Sequence, residues 1–271
     1  MIAVELSKMV RSRRTWVTIL LIDALPTLVA VLLGITDLGP RPGSGPAFLS
    51  AVLTDGTLFP LAAIAIIVPL LLPIAVAIAA GEAIAGEAQA GTLRYMLIRP
   101  VGRTRLLVAK LISVMAFVLL AVLVVAATAY VSGSLLLGQE QAAAGATSIS
   151  GTTLSTQELL LRTLLALAYA MLSMLGVAAI ALFLSTAVDT PLAAALGALS
   201  VLIASSLLLT LDAAQALQPW LPTRYWLSFV DLFRDPIQWR DVVRGTGLQA
   251  LYVAVFLAAA WANFTTKDIT E

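Results

Sequence analysis

The chain predicts an all-α membrane protein, and three observations carry that class. Of its 271 residues 61% are hydrophobic and only 11% charged, where a soluble domain carries about a quarter charged residues. Mean hydropathy is +1.01. Six apolar runs of membrane-crossing length alternate with short polar segments, at about 16–33, 59–80, 106–137, 159–184, 191–211 and 248–264.

Composition also excludes chemistry. There is no cysteine and no histidine, which removes disulfides, thiolate nucleophiles, haem ligation, histidine-zinc sites and an imidazole base. The lysines Lys8, Lys110 and Lys267 follow Ser7, Ala109 and Thr266, so no Gly-Lys-Ser/Thr phosphate loop exists. Any energy the protein uses comes from an ion gradient or from another subunit. A net charge of +1 argues for neither nucleic acid nor an acidic partner.

In chain order, Ile2, Leu6, Met9 and Val10 recur at helical spacing with Glu5, Lys8, Arg11 and Arg14 on other faces. They predict an interfacial helix on the membrane surface. The first span, 16–33, contains Asp23 and Pro26. Its Leu, Ile and Val residues favour insertion by roughly 3 to 7 kcal/mol, against about 2.5 to 3.5 for one central aspartate. It reads as a retained anchor, since no small-x-small cleavage site follows. Asp23 lies near mid-membrane and admits two readings: a functional ionisable site, or a packing residue facing a polar neighbour on another helix.

A Gly/Pro-rich external loop follows, with RPGSGP at its centre. The second span carries Pro60, Pro69 and Pro73, which predict kinks whose freed carbonyls need neighbouring helices. Next comes a charged island, with 82–105 as a cytoplasmic element. Gly91 breaks the helical pattern, Thr92 caps a new short helix, Leu93, Met96 and Leu97 share a face, and Pro100 closes it. The third run exceeds about 20 residues, so its helix is tilted or extends beyond the bilayer. The loop 138–158 shows no motif. STAVDTP makes a tight turn between spans four and five, with Pro191 opening the latter.

The segment 212–247 holds six of the eighteen aromatics, among them Trp220, Tyr225, Trp226 and Phe229. These predict short interfacial or re-entrant helices bearing an extracytoplasmic anchoring belt. Basic residues cluster at the N-terminus, on the island and in the tail. The positive-inside rule then makes both termini and the island cytoplasmic.

On the island, Gly86-Glu87, Gly91-Thr92-Leu93, Arg99-Pro100-Val101-Gly102-Arg103, and Leu107 with Lys110 resemble the pattern of the ABC-2 type transporter permeases. The order of elements along the whole chain is similar too. The resemblance implies a six-helix half-transporter in the plasma (inner) membrane. It would dimerise with a second copy or a paralogue and bind two ABC ATPase subunits on its cytoplasmic face. ATP and Mg would then belong to those ATPases, with no cofactor or metal in this chain and no nucleic-acid partner. It further implies that Glu87, Gly91, Thr92, Leu93 and Arg94, with Arg99 and Arg103 beside them, form the element that docks on the ATPase. Glu87 would pair with an arginine of the ATPase, or else with Arg94 or Arg103 of its own chain.

Export of a hydrophobic or amphipathic compound is the reading these features favour, with no catalytic residue in the permease itself. An ion-gradient-driven carrier working through Asp23 is the alternative. Against it stands the lack of any other acid deep within a span and of internal repeats.

Overall fold

The computed structural model describes residues 2–36, 56–92, 102–137, 146–147, 150 and 152–266. Among these the chain is all-helical apart from a two-residue antiparallel ladder, Ala146–Thr147 against Thr153–Leu154. In order come α1 (Ile2–Arg11), α2 (Arg13–Thr36), α3 (Phe59–Ile67), α4 (Leu71–Gln89), α5 (Arg103–Leu136), α6 (Thr156–Ala187), α7 (Pro191–Leu208) and α8 (Trp239–Thr266). Six of them, α2 and α4 to α8, are long and apolar enough to cross a membrane. The expected short helix carrying Leu93, Arg94 and Arg99 lies outside the described residues.

The second apolar run is two helices. Proline at position 69 has no N–H to donate and its ring collides with the carbonyl four residues earlier. Helix α3 therefore ends at Ile67, and α4 restarts at Leu71. Helix α3 packs chiefly on α5 and α2, whereas α4 packs chiefly on α6 and α7.

Two expected boundaries move. Helix α4 continues to Gln89, so the first part of the island is the end of a span. Small residues permit it: a Cβ on Gly81 would meet the Ala195 backbone nitrogen at 3.0 Å. Helix α8 starts at Trp239, nine residues before the apolar run that marked it, because its first turns are charged and left no hydropathy signal.

Helix α6 is the axis. It packs against α8, α4, α7 and α5, and 61% of its apolar window is buried, against 22% for α8. Ala166, Ala170, Ala178, Ala179 and Ala181 are fully buried along it. Such side chains let backbones approach, which is how helices associate where lipid removes the hydrophobic drive. At Gly176 the contact is with Gln249 of α8, whose Oε1 occupies the space a Cβ would need. Its N-terminus is fixed by a capping box, Ser155 with Glu158, a signal present in the segment 138–158 where no motif had been expected.

Candidate functional site: an ionic joint beside the loop after the second span

The site is built from three segments far apart in sequence. Helix α1 places Glu5 and Lys8 three residues apart, on one face. Helix α4 brings Glu87 in its last turn, and α5 brings Lys110 about 10 Å along from its start. The Lys110 Nζ lies 2.9 Å from Glu87 Oε1 and 3.0 Å from Glu5 Oε2, with all three residues at most 9% exposed. Lys8 Nζ donates to the same Glu87 oxygen at 3.0 Å from the exposed rim. The hydroxyl of Thr92 takes the other oxygen of Glu87.

The charge pattern explains itself. A carboxylate in the last turn of a helix faces the negative end of the helix dipole, and burial adds a desolvation cost. Two ammonium groups offset both for Glu87. In turn, its hydrogen bond holds the Lys8 ammonium above the ordinary lysine value of 10.5. Gly91 makes the local path possible. Its φ of +67° ends α4 with a left-handed residue, turning the chain so that Thr92 comes back onto Glu87.

Two further contacts hold the same end. Ser185 of α6 inserts into the α4 ladder: its hydroxyl donates to the Gly81 carbonyl at 2.6 Å and accepts from Ala85 N at 2.9 Å. Arg103 Nη1 donates to the carbonyls of Phe264 and Thr265, at 2.9 and 2.8 Å. That places a cation on the C-terminal carbonyls of α8. A small apolar cluster of Ile84, Leu106, Leu107, Leu182 and Phe264 lies with these contacts. The described residues on either side of 93–101 are thus fastened to α1, α6 and α8. Helix α1 and the end of α8 lie at this same end of the bundle.

Of the residues expected to dock a partner, Glu87, Gly91, Thr92 and Arg103 are described, and Leu93, Arg94 and Arg99 are not. Of the arginine partners expected for Glu87 within its own chain, Arg103 turns to α8 instead and Arg94 lies outside the described residues; the described cations on Glu87 are Lys8 and Lys110. Glu5, Lys8 and Ser185 as site residues were missed. The opposite charges of Glu5 and Lys8 on an amphipathic helix were visible, but nothing local says what they face.

At the other end, the expected aromatic belt is corrected. Trp220 is exposed, but Tyr225, Trp226 and Phe229 are at most 8% exposed. Short 3₁₀ turns at Asp212–Ala214, Gln218–Trp220 and Ser228–Phe233 fold this segment back onto α6 and α8, so these rings fill the core. Polar side chains tie it there. Arg162 of α6, itself buried, donates to the carbonyls of Leu232 and Arg234. The Tyr169 hydroxyl donates to Tyr225 O at 2.7 Å, and Gln249 Nε2 to Pro222 O at 2.8 Å.

Asp23 faces α5. The Thr128 hydroxyl lies 2.6 Å from its Oδ1. Between α2 and α5 this contact joins two packed helices, and among the described residues no second carboxylate bonds to it.

A family model described as ABC-2 family transporter protein matches residues 1–202, a stretch that contains the whole ionic joint, the loop 93–101 and Ser185. A search of curated proteins gives no match. With three-quarters of its length matched and six helices fit to cross a bilayer, the chain is a multi-pass membrane protein that belongs to the ABC-2 transporter family.

Proposed function

We propose that this chain is the permease subunit of an ATP-driven exporter, working as a dimer with two separate ABC ATPase subunits. ATP and Mg are bound and used in those subunits. The observation that supports this best is the ionic joint: the helices flanking 93–101 are held by buried charges, as a loop that takes load from a partner requires. Both termini and this loop face the cytoplasm of a plasma (inner) membrane, in line with the basic residues gathered there. Leu93, Arg94 and Arg99 make the direct ATPase contact. Glu87, Thr92 and Arg103 act behind them, holding the loop's two ends. The cargo is hydrophobic or amphipathic, matching spans with few polar groups.

The test is affinity purification of the tagged chain in mild detergent. Expected is a soluble ATPase recovered at one copy per permease, lost in Leu93→Pro while the permease stays monodisperse. A solitary, stable oligomer with no nucleotide-binding partner would refute the reading. Asp23 serves as a packing residue in this scheme, so Asp23→Asn leaves ATP-coupled transport intact.

A further inference from the structure

A cleft of about 560 Å³ opens between the start of α2, the middle of α4 and the start of α5. It continues into a smaller cavity of about 190 Å³ beneath the ionic joint, the two sharing Ser12, Thr15, Glu82 and Ser113. Together their volume is that of a site for a small organic group.

The cleft has one polarity gradient contributed by three helices. Ser12, between α1 and α2, and Arg14 and Thr15 of α2 precede Val17 and Thr18. On α4, which runs the opposite way, Glu82 is followed inward by Ile78 and Ala75. On α5, Ser113 precedes Val114 and Phe117. From Glu82 to Ala75 the walls run about 10 Å, from the charged end of the bundle into its apolar part. A bilayer changes from headgroup to hydrocarbon over a similar depth.

Charge narrows the occupant. Lys8, Arg14 and Lys110 are balanced by Glu5, Glu82 and Glu87. Lys110, Glu5 and Glu87 are buried and satisfied by one another. Arg14 and Glu82 form an ion pair with each other across the mouth, 3.5 Å apart, with side chains 85% and 47% exposed, so both stay open to exchange with a ligand. A bare anion at Arg14 would face Glu82, and a bare cation at Glu82 would face Arg14. A headgroup carrying both signs satisfies both.

We infer that this cleft binds an aminophospholipid of the adjoining leaflet. Its phosphate lies on the Arg14 guanidinium, which matches phosphate geometry, with the Ser12 and Thr15 hydroxyls nearby. Its ammonium donates to Glu82, and the first part of an acyl chain runs along Ile78, Val114 and Phe117. The inference needs only that the helices span the membrane; it does not depend on an ATPase partner.

The experiment uses the full-length protein in phosphatidylcholine nanodiscs doped with phosphatidylethanolamine or phosphatidylglycerol, each bearing a photoactivatable acyl chain, with labelled peptides mapped. Expected is labelling of 75–82 and 113–117 by phosphatidylethanolamine about tenfold above phosphatidylglycerol, the size of one charge-assisted hydrogen bond. Glu82→Gln should erase that preference. Ile78→Trp, which fills the apolar part and leaves both charges, should reduce labelling by both lipids there while leaving the lipid-facing residues of α7, such as Leu192 and Leu196, labelled as before. Equal or greater labelling by phosphatidylglycerol, an unchanged preference in Glu82→Gln, or cleft labelling no higher than that of α7 would overturn the inference. No ATPase is present, so such a result leaves the permease reading untouched, and failure to recover an ATPase leaves this one untouched.

Discussion

The two ends of the bundle solve the same problem with different chemistry. At the loop end, buried charge answers buried charge: Lys110 lies between Glu5 and Glu87, and each partner comes from a different helix. At the far end, Arg162 is equally buried but its hydrogen bonds go to main-chain carbonyls of Leu232 and Arg234, with Tyr169 and Gln249 doing likewise. Ion pairs join helix to helix and can be re-formed in another register. Side-chain bonds to backbone carbonyls fix one path of an irregular segment. The first arrangement ties separate helices to one another, the second fixes the shape of one segment.

That contrast can be broken by mutation. Lys110→Met leaves buried Glu5 without its ammonium partner and Glu87 with Lys8 alone, and should cost about 3 to 5 kcal/mol, seen as a large fall in thermal stability and in monodisperse yield. Adding Glu5→Gln and Glu87→Gln to it should recover much of the loss, because a neutral set no longer carries unpaired charge. No such rescue exists for Arg162→Met, whose acceptors are backbone. That variant should lose about 1.5 to 3 kcal/mol, and a loss matching that of Lys110→Met would erase the distinction. Smaller again, Tyr169→Phe leaves the Tyr225 carbonyl without its donor and should cost about 1 kcal/mol in thermal unfolding.

The smallest effect belongs to Lys8, whose side chain is 64% exposed. Lys8→Ala should change stability by less than about 1 kcal/mol. Its folded value is raised above 10.5 by Glu87. The stability it adds is therefore complete below pH 10.5 and lost only as pH rises through the raised value. A spin label on α1 should report unchanged docking from pH 7 to 9; release within that range would show that Lys8 is not what senses pH there.

Six spans, the turn at 188–190 and the helix stop at Gly91 were legible because hydropathy, proline and glycine act locally. The break at Pro69 was legible as a kink, but not as two helices packed on different neighbours. The start of α8 was hidden by its charged first turns, and the inward turn of Tyr225, Trp226 and Phe229 by a composition that suits a membrane surface equally well. At the site, Glu87 stood out through its motif, whereas Glu5, Lys8 and Ser185 depend on contacts between residues about 80 to 105 positions apart, which no periodicity records.

The interruption at 68–70 has a mechanical meaning. A continuous rod through the membrane would carry any tilt imposed at Glu87 to its opposite tip. Here the rod is cut. Its upper piece packs chiefly on α2 and α5, and its lower piece chiefly on α6 and α7. A tilt imposed at Glu87 therefore has no continuous helix through which to reach α3, because the chain leaves the helical path at Val68, Pro69 and Leu70. The cleft, walled by α4 on one side and by α2 and α5 on the other, lies on the side of that break where α4 carries Glu87.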